Sequence, residues 1–315
     1  MNRFVKRGLQ ITAVSAAAIV VCSTAVVTYL AYTGTPSKSR FMTFEGYIEL
    51  PKSGLLNVLD YLTIDGRTLF VTSESSGTLF KISLDPNRPS ASSVSELPGT
   101  GAAHGVALLP ADAILYVPSV KLMYVANGDA HLATLIDPVK RTIVGAIKLP
   151  GKPEFPALDP KTGLLYQSLE DINSIAAIDL GKRSVVGQWS IAPCEGPSGM
   201  AIDSEQRRLF AVCSGNAMLV VFDLESHRII TALRIGGGPD SVAFDPPLHR
   251  IYTAGKAGKL TVIQQDGPDA YRVLDEIHTH YGAHTLTVDT VSHKVFVAYA
   301  SLLAHPRIAV FSPAL

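Results

Sequence analysis

Short apolar runs bounded by Gly, Pro, Asp and Asn follow one another through most of this chain, the pattern of strands joined by turns. One phrase recurs: apolar-x-apolar-Asp, a turn, then a second apolar run. Its aspartate stands at Asp65, Asp159, Asp203, Asp245 and Asp289, the last four spaced 44, 42 and 44 residues apart. The cleanest copy reads Pro239-Asp-Ser-Val-Ala-Phe-Asp245, a turn over residues 246–250, and Ile251-Tyr-Thr-Ala254. A Gly/Lys loop follows, then Leu260-Thr-Val-Ile-Gln264, a polar turn and Tyr271-Arg-Val-Leu-Asp-Glu-Ile277. Four strands in a unit of about 40–45 residues describe a β-propeller blade. One such sheet cannot bury both faces alone, so the units must stack around an axis.

The count has an irregularity, because Asp65 and Asp159 are 94 residues apart, two periods and a remainder. The run His104-Gly-Val-Ala-Leu-Leu-Pro110 reads as a first strand, yet Asp112-Ala-Ile-Leu-Tyr-Val117 reads as another almost at once. With Val117 at the aspartate position, the chain holds six full repeats and a truncated remnant over residues 98–111; seven blades is the alternative count. The final unit supplies only three strands, at residues 285–288, 294–299 and 307–311. Gly46-Tyr-Ile-Glu-Leu50 is expected to provide the fourth and so close the ring, since an unclosed propeller would expose sheet edges.

The repeats resemble the YVTN family of β-propellers, also described as YncE-like, over residues 44–312. The phrases that carry the resemblance are Asp60-Tyr-Leu-Thr-Ile-Asp65, His104-Gly-Val-Ala, Asp112-Ala-Ile-Leu-Tyr116, Gly196-Pro-Ser-Gly-Met-Ala-Ile-Asp203, Gly238-Pro-Asp-Ser-Val-Ala-Phe-Asp245 and Leu260-Thr-Val-Ile. The resemblance implies an all-β, extracytoplasmic bacterial propeller. It implies no particular reaction, because the fold hosts many functions. Members usually have seven blades, so the abandoned repeat at His104 is a departure.

The first 32 residues obey different physics. Residues 8–37 carry no charge and residues 9–31 are mostly apolar, long enough to cross a bilayer, with Arg3, Lys6 and Arg7 in front. The positive-inside bias then leaves the N-terminus in the cytoplasm and the propeller in the periplasm, tethered to the inner membrane. The competing reading is a signal peptide cleaved near Ser23-Thr-Ala25, giving a secreted protein. Residues 33–43 form a linker, and 44–315 the propeller.

Formal net charge is zero, which gives no general attraction to nucleic acid, and aromatic residues make up only 7%, too few for a broad sugar-stacking surface. Of the three cysteines, Cys22 lies in the apolar segment. Cys194 and Cys213 flank one strand and turn of a single repeat. An oxidising compartment would permit them to form a disulfide; the alternative is two separate thiols.

Candidate chemistry emerges when the repeats are aligned five residues before the aspartate. Asp60, Asp112, Glu154, Ser198, Asp240 and His284 stand there, with His104 at the matching point of the remnant. First strands line the axis of a propeller, so these side chains should form a ring at the channel mouth. Such a ring would suit a cationic small molecule or a divalent cation such as calcium, a cofactor for which Glu154, Asp240, Asp60, His280 and His284 are the candidate ligands. His278-Thr-His280-Tyr-Gly-Ala-His284 places three imidazoles in seven residues, although the family pattern often carries arginine at His284. Glu74, Asn127, Asp129, Glu170, Asp171, Asn216, Lys256 and Lys259, between second and third strands, would rim the same funnel. The repeated aspartates themselves are expected to be structural, each closing a turn.

Phosphate-loop, nucleophile-elbow, HExxH and haem motifs are missing from the sequence. The sequence therefore supports a monomeric binding scaffold for a small-molecule ligand or a protein. The alternative is a divalent-metal hydrolase of the lactonase type, since gluconolactonase-like six-bladed propellers gather carboxylate ligands at the channel mouth.

Overall fold

The computed structural model describes residues 35–314 except 53, 55, 74–77, 86, 98–112, 300 and 303–304. The abandoned repeat at His104, the ring candidate Asp112, Glu74 and the apolar N-terminal segment lie outside the described residues.

The described residues form six four-stranded antiparallel blades. The first comprises Leu59–Asp65, Thr68–Ser73, Thr78–Ser83 and Ser93–Leu97, and the second Ala113–Val117, Leu122–Asn127, Leu132–Asp137 and Thr142–Lys148. The third holds Pro153–Leu158, Leu165–Leu169, Ser174–Asp179 and Ser184–Ser190. The fourth holds Pro197–Asp203, Arg208–Cys213, Met218–Asp223 and Ile229–Arg234, and the fifth Pro239–Asp245, Arg250–Gly255, Lys259–Gly267 and Ala270–His278. The sixth is composite: Thr285–Val288, Val295–Tyr299 and Arg307–Pro313, completed on the outside by the N-terminal strand Met42–Glu49. Its register runs from Met42 opposite Pro313 to Glu49 opposite Arg307, with a bulge between Phe44 and Gly46. A short pair, Leu56–Asn57 with Ser301–Leu302, adds a second link between the two ends of the domain.

Among the described residues, helix is limited to two single 3-10 turns, Pro89–Ala91 and Glu170–Ile172, and no helix is long and apolar enough to cross a membrane.

Why blades rather than a sandwich is visible in the burial. Second and third strands of the central blades are covered on both faces, as in Leu165–Leu169 and Arg208–Cys213, where every residue is buried, while outer strands such as Ser184–Ser190 alternate. The core is accordingly divided among the seams. Separate apolar clusters join the second to the third blade, the third to the fourth, the fourth to the fifth, the fifth to the sixth and the sixth to the first. Met42 belongs to the fifth–sixth cluster, whereas Ile48 and Leu50 belong to the sixth–first, so the closing strand serves both faces of its blade.

Four of the recurring aspartates, Asp159, Asp203, Asp245 and Asp289, close turns, and the first three also tie blades together. Asp159 is fully buried and accepts hydrogen bonds from Lys161 N and Thr162 Oγ1 of its own turn. It also accepts from Ser204 Oγ at 2.8 Å and Arg207 Nη1 at 2.7 Å in the fourth blade. Asp203 accepts from Gln265 Nε2 of the fifth blade, and Asp245 lies 2.9 Å from His293 Nδ1 of the sixth. Asp289 caps Val291 N within its own turn.

Cys194 and Cys213 are bonded, with their Cα atoms 5.3 Å apart and a sequence separation of 19. The bridge fastens the loop entering the fourth blade to the end of its second strand, within the third–fourth cluster. Closing a loop of this size removes denatured-state entropy worth about 3 kcal/mol. A Cys194→Ala, Cys213→Ala double variant should therefore lose about that much unfolding free energy in urea, and dithiothreitol should lower the wild-type midpoint but not the variant's. Equal midpoints for the two proteins would show that the bridge does not constrain the unfolded chain.

Candidate functional site

First strands of neighbouring blades lie side by side from the second blade to the sixth, and the sixth lies against the first, so their entry ends converge. There a polar cavity of about 390 Å³ opens, lined by Asp60, Tyr61, Lys152, Glu154, Glu170, Ser198, Ser214, Asp240, Lys256 and His284. Five of the six aligned positions meet in it; the sixth, Asp112, lies outside the described residues. Of the second-to-third-strand loops, Glu170, Ser214 and Lys256 reach the cavity, of which Glu170 and Lys256 are among the rim candidates.

A layer of hydrogen bonds beneath the mouth fixes the backbone of these positions. Thr285 Oγ1 of the sixth blade donates to the Asp60 carbonyl at 2.8 Å, and Ser168 Oγ of the third donates to Ser198 O at 2.8 Å. Ser241 Oγ of the fifth donates to His284 O at 3.1 Å, and Ser198 Oγ of the fourth donates to Pro239 O at 3.2 Å. Within the third blade Gln167 Nε2 donates to Glu154 O, and Gln167 Oε1 accepts from Tyr124 Oη of the second, both at 2.9 Å. The Ser168–Ser198, Ser198–Pro239 and Tyr124–Gln167 bonds are buried and the others part-buried, and together they lock the ring register between blades. Gly199 makes the close approach of the fourth and fifth blades possible: a Cβ there would stand 2.6 Å from Asp240 O.

Above this layer the charges alternate. Lys152 Nζ lies between Glu154 Oε1, at 3.2 Å, and Glu170 Oε2, at 2.5 Å. The Glu170 contact, with Glu154 assisting, raises the lysine's pKa against the opposing effect of burial, so Lys152 stays an ammonium. Lys256 Nζ is 3.3 Å from Asp240 Oδ2, and His284 Nε2 approaches the same oxygen to 3.8 Å. The other ring nitrogen, His284 Nδ1, is 2.6 Å from the Gly282 carbonyl, so it donates there and Nε2 faces the funnel. Tyr61 sets an aromatic edge on the cavity, its ring 4.6 Å from Phe155 of the third blade.

The candidate metal set is not assembled. Glu154 and Asp240 are each engaged by a lysine ammonium, and among the described residues no three His, Cys, Asp or Glu side chains are grouped to hold a metal ion. The three histidines of the 278–284 loop diverge. His278 Nε2 pairs with Lys259 Nζ at 3.0 Å, whereas His280 is buried, stacked 5.6 Å from Tyr299 with Nδ1 on the Tyr281 carbonyl. Only His284 of the three reaches the funnel. Sequence alignment did not find Lys152, because it precedes the first strand outside the aligned column. Its single signal was its place two residues before Glu154.

No family model and no curated protein matches the chain. Its fold is similar to solved propellers. Virginiamycin B lyase from Staphylococcus aureus, as a catalytically inactive histidine-to-alanine variant with quinupristin, superposes with a TM-score of 0.67 at 13% identity, covering 86% of this chain and 99% of that one. The selenomethionine-substituted form of the same lyase gives 0.64 at 12% identity with the same coverage. Kuenenia stuttgartiensis hydrazine synthase gives 0.51 at 16% identity over 63% of this chain, which spans 59% of that one. At these identities the likeness is one of fold.

Proposed function

We propose that the protein is a binding scaffold, held by its N-terminal apolar segment at the periplasmic side of the inner membrane, whose funnel takes a small polar ligand bearing a cationic group. The observation that carries this reading is the convergence of Asp60, Glu154, Ser198, Asp240 and His284 on one cavity of about 390 Å³. Four carboxylates, Asp60, Glu154, Glu170 and Asp240, face two ammonium groups, Lys152 and Lys256, so acidic groups outnumber the lysines by two. A ligand cation fits that excess, while the resident lysines offer contacts to a polar or anionic group on the same molecule. The Cys194–Cys213 bond suits an oxidising compartment, and the YVTN-like wording of the repeats suits an extracytoplasmic protein.

Thermal unfolding of the full chain against a panel of small amines, zwitterions, carboxylates and Ca²⁺ tests the reading. At a hundred times its Kd, an amine or zwitterion should add about 2.7 kcal/mol of stability, a rise of several degrees in Tm. Asp60→Asn with Asp240→Asn should abolish the shift. Stabilisation by carboxylates alone would reverse the proposed polarity. A Ca²⁺ shift dependent on Glu154 and Asp240 would replace it with the metal-dependent hydrolase.

An enzymic second reading is favoured by His284, whose Nε2 faces the funnel, where a general acid or base would stand. Turnover of a bound ligand that is lost in His284→Ala while binding persists would establish it. The fold likeness to a lyase adds no residue to that case.

A further inference from the structure

On the opposite face of the disc, where the first blade meets the sixth, lies a cavity of about 340 Å³ of different character. Its walls are apolar: Ile48, Leu84, Pro89, Val291, Phe296 and Val310. The size is at the lower end of the ~300–1,000 Å³ typical of small-ligand pockets, room for one apolar chain or ring system and too little for the two chains of a bilayer lipid.

Most polar groups at its edge are committed elsewhere. Asp289 caps Val291 N and Ser292 Oγ, and Asp85 accepts from Asn87 N at 2.9 Å and Arg88 N at 2.8 Å. Ser92 Oγ accepts from Asp85 N, and Lys294 Nζ is paired with Glu45 Oε2 at 2.6 Å. Arg67 is exposed and near enough to Asp85 to add, after the backbone bonds from Asn87 and Arg88, to what holds that carboxyl below its usual range. Its Nη2 donates to the Leu84 carbonyl at 3.2 Å, which uses one of the guanidinium's five donors. A guanidinium with donors to spare beside an apolar cavity matches a ligand with a carboxylate-like head and an apolar body.

We propose that this cavity binds a free single-chain amphiphile with an anionic head, the tail among Ile48, Leu84, Phe296 and Val310 and the head on Arg67. The site is separate from the funnel, and the two readings stand or fall independently.

The test is photolabelling of the full chain with a diazirine analogue of decanoic acid, the adducts being located by mass spectrometry. Adducts should concentrate in the 84–92 and 289–296 segments and fall at least fivefold under excess decanoate, but not under equal decyltrimethylammonium or phosphatidylglycerol vesicles. Arg67→Glu, a change at an exposed side chain, should cut labelling at least fivefold and shift competition toward the cationic amphiphile. Val291→Asp, at a side chain 88% exposed, should weaken labelling at the apolar rim without disturbing the fold. Urea midpoints of both variants check that they are folded. Labelling spread evenly over the surface, or unchanged in folded Arg67→Glu, would overturn the proposal. Equal competition by the cationic amphiphile would remove the anionic head, and competition by the vesicles would replace the free ligand with a lipid surface.

Discussion

Deleting residues 42–50 is expected to abolish cooperative folding of the propeller. The segment contributes the entire outer strand of the sixth blade, paired from Met42 to Glu49 against Arg307–Pro313. It also buries Met42, Ile48 and Leu50, all at 3% exposure or less, in two different seams. Each such side chain is worth about 1.5–3 kcal/mol. Together the three approach the ~5–15 kcal/mol net stability of an ordinary domain, before any ladder hydrogen bond is counted. Loss of the strand would also expose Arg307–Pro313 as an unpaired edge, a template for aggregation. Far-UV circular dichroism in urea and size-exclusion chromatography check this: the wild type should give one sigmoidal transition and the deletion a shallow, aggregating profile. A deletion protein with the wild-type midpoint would mean that the ring is held by the other seams alone.

The second large effect concerns two aspartates that look alike in the repeat and differ in surroundings. Burial disfavours the charged form of Asp159, but hydrogen bonds from Thr162, Arg207, Ser204 and Lys161 outweigh it and hold the carboxyl below its usual range. Burial of Asp245 is met mainly by His293, and there it wins, pushing the carboxyl up. Asp159→Asn should therefore cost about 3 kcal/mol, because the Arg207 guanidinium loses its buried partner. Asp245→Asn, which keeps an acceptor for His293, should stay within about 1 kcal/mol.

The pH dependences have opposite signs. A depressed folded-state pKa contributes stability present above the unfolded value of about 4 and lost as pH falls through the folded value, so wild type should weaken in that acid range and Asp159→Asn should weaken less. A raised carboxyl pKa adds stability on the acid side and loses it as pH rises from about 4 through the folded value. Asp245→Asn should remove that opposing slope. Urea unfolding of the three proteins at several pH values from 3 to 7 reads both. Parallel profiles would show that neither aspartate is coupled to folding.

The six-blade count and the closing strand were legible because turn chemistry and the aspartate phrase repeat in register, and because a three-stranded last unit demands a fourth strand. Reading Val117 as the aspartate equivalent placed the second blade's first strand at its observed end. The funnel was legible in part: alignment at one register finds residues that share a ring, as five positions do. It is blind to what each side chain pairs with. That Lys152 lies between Glu154 and Glu170, or that His280 turns into the sixth blade toward Tyr299, depends on contacts between chain segments that no local spacing encodes. The roles of Thr285, Ser241, Gln167 and Ser168 beneath the mouth are hidden for the same reason: the first two stand one place from a ring position and the others on a second strand, and all look like ordinary strand residues until their acceptors are in place.

The closing strand also sets an order of assembly. Met42–Glu49 leaves the ribosome before the rest of the propeller, whereas its partner Arg307–Pro313 is the propeller's last strand. The middle blades can pair locally as they appear, while the first-made strand must wait for the other blades. Joining such distant ends costs loop entropy that grows only slowly with length, but it delays the event, as non-local pairing does in general. The final ring-forming contact is therefore a checkpoint on synthesis of the propeller: a chain interrupted before residue 307 has four-stranded blades and no clasp.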